Sequence, residues 1–537
     1  MTAYSTQDIL ARHGHLKEVR ALEEPAWRDI AQIIDLDGQE FQINERRQRD
    51  DLFVYDSTPL YALNDYVGGL FGESMNPAER WFELTIEDKD LAKWGPVRKW
   101  FWDQGSQLYA SLSPSQSTFY SEASPWLANM GRYGNGFMYQ EEWPERQAII
   151  DRSIPIGESF INVDLAGNLD EFHRAFHLTG AQMMQKFGDA AGGAQEQHRY
   201  NVVHAVCLNP DFKPGALGPR GKRWLSTYVS EDLKNFRRDG AYYEMPYHAL
   251  FWNRRSGKAW ATGPGHDARP DMNMNNEMER SNLVAAQFAA EPPILTHDQA
   301  VVEAEDIVPN AVLNGTMSAQ GKRLLEYLQR GDNPQHAEKK TEERRAAIRE
   351  AFLYGTMQIL RNRPQMTATE VMALKSERLK LVAPFLVRIQ QGLATHIARR
   401  FAILARAGQT IPPPPELQGR ALAVQFVSPL AKAQEAATGT AVLQWISSLG
   451  QIAVSMQRPD IMDKVNIDAV ADVLHGAMVK QPDVINDDDK VAQIRQARAQ
   501  AQVQQMQVEQ AAQLASTYAD MAHARQAETS ARRRAVP

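Results

Sequence analysis

The run from 487 to 529, DDDKVAQIRQARAQAQVQQMQVEQAAQLASTYADMAHARQAET, contains neither glycine nor proline and is dominated by alanine, glutamine, methionine and arginine. Such strong helix formers predict one long helix. At about 1.5 Å per residue its roughly 43 residues reach ~65 Å, more than an ordinary globular core covers. The apolar positions Val491, Ile494, Val503, Met506, Leu514, Tyr518 and Met521 are irregular for a heptad seam. A ring or barrel of parallel copies suits this helix better than a dimeric coiled coil.

A second helix is expected inside 263–298, GPGHDARPDMNMNNEMERSNLVAAQFAAEPPILTHD. Pro270 suits a first helical turn, Asp271 and Glu277 lie near the positive end of the dipole, and Pro292 and Pro293 forbid continuation. The helix is expected to be isolated and straight. Its Met272, Met274, Met278, Leu283, Val284 and Phe288 are mixed with Asn and Ala and form no dense stripe, so similar neighbours from other subunits are its expected partners. A strand-like segment at 294–313 follows, and a charged helix returns over 336–355. Its Glu342, Glu343, Arg344 and Arg345 suit a solvated or intersubunit face. Helix, small insert, helix is the pattern of a stalk carrying a tip.

The remainder divides by texture. A chain of 537 residues exceeds one compact core. Up to about 260 the sequence is Trp-rich, with strand-like pieces at 160–163 and 202–206 separated by turn signals, and this predicts an α+β domain. Over 367–407, Val371, Leu374, Leu381, Phe385, Ile389 and Leu393 recur at helical spacing. Thr367 and Glu370 have capping-box form, and Pro384 is expected to kink or divide the helix. Prolines 412–415 end that element and stiffen a link, with shorter helices beyond to about 478.

Hydrophobic residues at 43% and charged residues at 23% exclude wholesale disorder, and no apolar run approaches a membrane span. The first residues carry no basic patch followed by an apolar core, so no export signal is expected. Cys207, the only cysteine, fits a reducing cytoplasm. A net charge of −7 argues against a DNA-coating protein, because counterion-releasing affinity needs clustered Lys and Arg.

Several fragments imitate catalytic motifs. GALGPRGKR at 215–223 has the outline of a phosphate loop, but Ala216 and Arg223 occupy positions that require Gly and Ser or Thr, leaving a surface loop. GRYGNG at 131–136 lacks dinucleotide spacing and reads as a turn. In EFHRAFH, His173 and His177 would stand one helical turn apart with Asp170 and Glu171 nearby. No third ligand is evident, so helix-surface or core histidines are the expectation and a metal-dependent hydrolase is the rival. No GxSxG nucleophile elbow is present. Neither enzymatic activity nor a cofactor is expected.

Read in order, the segments resemble the portal, or head-to-tail connector, proteins of short-tailed bacteriophages. The resemblance is carried by Val54 to Thr58 (VYDST) with Ala62, by the RWFELT stretch at 80–85, and by a block at 154–188 that includes Asp164, Gly167, Phe176, Leu178 and Thr179. It continues in Arg269, Pro270, Asp271, Asn276, Glu277 and Met278 with Pro292, Pro293 and Ile294, then in TATEV at 367–371 and SPLA at 428–431. Ala261 and Thr262 depart from the family's usual lead-in.

The resemblance implies a predominantly helical α+β portal fold. Its parts would be an α/β wing (1–268), a first stem helix (269–290, with Asp271, Met274 and Met278), a small mixed clip (291–335, entered at Pro292 and Pro293) and a second stem helix (336–355). A tunnel loop (356–366), a wing helix (367–411), crown helices (412–486) and a C-terminal barrel helix with tail (487–537) would follow. It further implies a homo-oligomeric ring of twelve at one capsid vertex of the virion, assembled in the host cytoplasm. Double-stranded DNA would pass through it during packaging and ejection, and it would meet the terminase, tail adaptor and tail tube proteins, and capsid and scaffolding proteins, without a membrane. Arg361 and Arg363 would form positive rings around phosphates or remain solvated, and Arg532 to Arg534 would be a frayed tail rather than a DNA contact. Twelve copies at −7 carry about −84, a repulsive sleeve around DNA. A helical scaffold or adaptor without a closed channel is the alternative.

Overall fold

The computed structural model describes residues 4–34, 54–143, 148–233, 236–290, 294–296, 325–327, 334–357, 368–420, 422–427, 429–479, 481–486 and 488–534. Two compact units divide the chain: Met1–Thr85 with Gln104–Pro412 and Ala421–Ala431, and Ile86–Asp103 with Pro413–Arg420 and Lys432–Pro537.

In chain order the elements begin with α1 (Thr6–Ala21), α2 (Glu24–Ile34), α3 (Thr58–Ser74), β1 (Phe82–Thr85), α4 (Lys89–Lys93), α5 (Gly95–Leu112) and α6 (Phe119–Tyr133). A strand-rich stretch follows: β2 (Asn135–Trp143), β3 (Ala148–Ile154), β4 (Ser159–Val163), β5 (Leu169–Thr179), α7 (Gly180–Phe187), β6 (Arg199–Leu208), β7 (Trp224–Ser230), β8 (Arg237–Tyr242) and β9 (Tyr247–Phe251). Then come α8 (Pro264–Ala290), β10 (Ile294–Thr296), β11 (Leu325–Tyr327), α9 (Pro334–Ala351), α10 (Tyr354–Met357), α11 (Ala368–Arg406), β12 (Ala423–Phe426), α12 (Pro429–Ser455), α13 (Ile467–Leu474) and α14 (Asp488–Arg534).

The larger unit is built on an antiparallel five-stranded meander, β4-β5-β6-β7-β8. Strand alternation sends successive side chains to opposite faces, and both faces are covered. On one, Ala175, Val203, Ala205 and Val229 receive Ile9 and Leu16 of α1. On the other, Phe176, Val202 and Tyr228 receive Met183 and Phe187 of α7. The EFHRAFH stretch therefore lies in β5, not in a helix as its spacing suggested. Residues four apart share a face in either structure. His173 is buried beneath α1, stacked 5.6 Å from His13, with Nε2 3.1 Å from Glu171. Arg12 donates to both Glu171 oxygens at 2.7 and 2.8 Å. Burial alone would raise the Glu171 pKa, but hydrogen bonds and charge from His173 and Arg12 win and hold it at about 2. Cys207, in the same region, is buried, and desolvation pushes its thiol up to about 11.

A three-stranded sheet, β3-β2-β9, packs against the first through aromatic rings: Phe172 stacks on Tyr247 at 3.9 Å and meets Phe137 at 5.2 Å. Helix α6 buries Phe119, Ala123, Trp126, Leu127, Met130 and Tyr133 along one face and ends at Gly134 with φ 74°. A Cβ there would strike the backbone of Ala261 and Thr262. The 131–136 stretch is thus a helix end running into β2 rather than a free turn.

Helix α11 runs 39 residues without interruption through Pro384. The division expected at that proline is absent. Phe385 beside it stacks on Trp252 at 4.5 Å with the rings 2° from parallel. The capping Thr367 lies outside the described residues. Deeper along α11, His396 and Arg400 reach the fully buried Asp151 of β3 at 2.7 and 2.8 Å. Ser117 and Gln140 also donate to Asp151, and Arg400 caps Ser111 O at 2.8 Å. Burial opposes the Asp151 charge, but the charges of Arg400 and His396 outweigh it and hold the carboxyl far below its ordinary range.

In the smaller unit, short 3-10 and π turns and α13 precede α14, a helix of 47 residues from Asp488 to Arg534. The helix is longer than its sequence boundaries suggested and includes Arg532, Arg533 and Arg534, expected as a frayed end. Loop 215–223 holds a short 3-10 turn at Gly218–Gly221 between β6 and β7, as a surface loop should.

Removing the Asp151 carboxylate strands a buried guanidinium, so Asp151→Ala is expected to cost about 3–5 kcal/mol in urea-induced unfolding. Glu171 has a depressed folded pKa, so its contribution is complete above about 4.5 and disappears as pH falls towards about 2. Hydrogen exchange of α1 is expected to accelerate across that window, and Glu171→Gln is expected to flatten the dependence.

Candidate functional site: a paired-helix stalk

Helices α8 and α9 pack against each other in the larger unit. Helix α8 starts at Pro264, so Pro270 is internal and Asp271 is not in the first turn, where Asp267 stands instead. The early start follows from close backbone approach: a side chain on Gly263 or Gly265 would strike Gly134 or Arg132. The helix is therefore not isolated. Met272 and Asn275 are fully covered, and α8 meets α2, α6 and α9.

At its base the pair is joined by charge. Arg344 donates to Asp271 at 2.7 Å, and Arg345 to Glu279 at 2.8 Å. Asp56, just before α3, is 7% exposed and accepts from Thr58 at 2.8 Å and from Asn275 Nδ2 at 2.6 Å, with Arg345 Nε at 3.4 Å. Tyr55 N donates to Asn276 Oδ1 at 2.8 Å. Arg344 and Arg345 thus serve contacts within the chain as well as the solvated face expected of them. On the same return helix Thr341 and Ile348 are buried, with Phe352 just past its end. The helix stops at Ala351 rather than at 355: Leu353 takes φ 59° and Gly355 falls in the separate α10.

Beyond Asn275 helix α8 carries barer apolar side chains. Leu283 is 50% exposed and Val284 38%, whereas Met278 is half-buried; Met274, just before Asn275, is already 55% exposed. Asn282 reaches Thr341 at 3.5 Å. A short antiparallel pair, β10 with β11, joins Ile294 to Tyr327 where the tip was expected. Pro292, Pro293, Arg361 and Arg363 lie outside the described residues. Asp56, Asn275 and Thr58 were not singled out as a site from sequence. Their only signal was the VYDST motif and an Asn pair within α8, more than 200 residues apart.

Among the described residues no group of three or more His, Cys, Asp or Glu side chains is arranged to hold a metal ion. His173 faces Glu171 and His13 in a packed interior, which leaves the hydrolase reading without the helical geometry that motivated it. No described helix is long and apolar enough to cross a membrane.

Within the larger unit an α+β body thus carries a braced pair of antiparallel helices. The chain belongs to the family of bacteriophage head to tail connecting proteins, whose pattern it matches over residues 6–485. It is thereby a structural component of the phage head-tail junction. It is 26% identical over 526 residues to the portal protein of Salmonella phage epsilon15, covering 94% of this chain and 93% of that one. It is 25% identical over 511 residues to the probable portal protein of Bordetella phage BPP-1, covering 92% and 91%. Among solved structures, a neck of an empty GTA particle computed with C6 symmetry aligns with TM-score 0.36 and 11% identity, covering 73% of this chain and 86% of that one.

Asn275 donates its amide into a buried carboxylate, so Asn275→Ala is expected to lower stability by about 1–3 kcal/mol. Arg344→Ala, at an exposed pair screened by solvent, is expected to lower stability by less than Asn275→Ala does. Thermal unfolding of the two variants side by side checks the order.

Proposed function

We propose that this chain is a portal subunit, twelve copies of which close into a ring at one capsid vertex and form the conduit for double-stranded DNA in packaging and ejection. The observation that carries the reading is the end-to-end correspondence with two phage portal proteins, each aligned over more than nine-tenths of both chains. In this reading 1–268 is the wing, with the first stem helix beginning a few residues early at Pro264. The tip at 291–335 is the clip, entered at Pro292 and Pro293, which docks the terminase motor and later the tail adaptor and tail tube proteins. Residues 356–366 form the tunnel loop, 367–411 the wing helix, 412–486 the crown and 487–537 the barrel. Capsid and scaffolding proteins meet the ring as it assembles in the host cytoplasm.

The electrostatics suit a conduit. A wall must guide a sliding polyanion without holding it, and a subunit of net charge −7 supplies repulsion around a few positive rings. Arg361 and Arg363 are the proposed positive rings.

Electron microscopy of the purified chain is expected to give rings with a central hole. Monomers or filaments under every assembly condition would refute the portal reading and favour an open scaffold or adaptor. Within rings, Arg361→Ala with Arg363→Ala is expected to leave assembly intact and to change the salt dependence of DNA packaging. An unchanged salt dependence removes those two arginines from the DNA contact.

A further inference from the structure

Helix α14 has no uniform apolar stripe, but its residues sort into faces when laid out at about 100° per residue. The four charged residues between Val491 and Ala522, namely Arg495, Arg498, Glu509 and Asp520, fall within an arc of roughly 60°. On the opposite side Gln493, Gln496, Gln500, Gln504 and Gln507 form a stripe that continues uncharged to Ala522. The two flanks between these stripes differ in size. Ala501, Ala512 and Ala519 mark one flank, which also carries Ile494 and, at its edge, Val508, and Val503, Leu514 and Met521 mark the other.

Small and large residues pair at three levels. Ala501 with Val503, Ala512 with Leu514, and Ala519 with Met521 are each two residues apart, hence at nearly one height and about 200° apart around the helix on the charged side. On the glutamine side they are about 160° apart. Val503, Leu514 and Met521 stand 50%, 60% and 51% exposed, so each large side chain lacks cover within its own chain.

A closed ring joins one face of a subunit to a different face of the next. Copies related by the ring axis have equal residues at equal heights, so the large flank of one helix meets the alanine flank of its neighbour. The two contact faces of a ring member subtend less than 180° on the side that looks at the axis. Here that is the glutamine side. A separate contact agrees: Arg495, on the charged face, pairs with Asp468 of α13 at 2.6 and 2.9 Å, so at that level the charged face looks towards α13 and the glutamines look away from it.

We propose that in the assembled ring α14 packs Val503, Leu514 and Met521 into the Ala501, Ala512 and Ala519 flank of the adjacent copy, so that the glutamine stripe lines the lumen. The proposal deepens the ring reading above and rests on it. An amide wall offers DNA exchangeable hydrogen bonds without ion pairs, so no phosphate is held by counterion release.

Cysteine cross-linking of the full chain tests this after rings have been imaged. In Ala512→Cys/Leu514→Cys, and independently in Ala501→Cys/Val503→Cys, mild oxidation is expected to link neighbours into a ladder ending at the ring-sized species, since only close Cβ atoms form a disulfide. Gln500→Cys/Gln502→Cys, with thiols on the glutamine and charged faces at one height, is expected to stay monomeric on a denaturing gel. Imaged rings that ladder through 500/502, or through neither of the other pairs, overturn the face assignment while leaving the ring reading intact. Absence of rings from the unsubstituted chain overturns both.

Discussion

A single dry carboxylate fixes how the longest helix of the larger unit meets its sheets. Asp151 sits on β3 with no water-facing edge, and a bare charge there would be prohibitively costly. Arg400 and His396 arrive from α11 four residues apart, on one helical face, and satisfy it together with Ser117 and Gln140. One rotational setting of α11 delivers both donors at once. The same setting brings Gly392 against Ala249 and Leu250 of β9, where a side chain would collide, and lays Phe385 flat on Trp252. Buried ion pairs often add little net stability, because desolvation offsets attraction. What this one supplies is a unique register between helix and sheet.

The stalk repeats the device with less burial. Asp56 gathers Thr58, Asn275 and Arg345, so α3, α8 and α9 share one acceptor set. Two segments that carried the family resemblance, VYDST and the part of α8 around Asn276, prove to be two sides of one junction. Past that junction α8 bares apolar side chains, as Leu283 and Val284 illustrate. Bracing at one end and bareness at the other suit a part whose remaining neighbours belong to other copies.

Much of this was legible in the sequence where local chemistry acts alone. The Gly- and Pro-free terminal run became one helix, and β-branched runs became β4 and β6, because propensity and period both point one way there. Errors fell where two readings share a signature. EFHRAFH places His173 and His177 on one face whether helical or extended, and sheet pairing on both sides of β5 decides between them. Pro270 and Pro384 read as boundaries but lie inside helices, since tertiary contacts at Gly263 and Gly265 and at Trp252 outweigh one lost hydrogen bond. The break after Ala351 had no local cue, because leucine does not advertise a left-handed conformation. Asp56 and Asn275 were invisible as partners because no pattern in one sequence links positions that far apart.

Cys207 lies on β6 in the layer that α1 closes, with a thiol held far towards its protonated form. Thiolate is the reactive species, so the chain's sole sulfhydryl is chemically silent while it stays buried. The molecule thereby carries its own reporter of integrity. Alkylation of the native chain marks local opening around β6, and in a ring of identical copies the number of labelled subunits counts how many have opened.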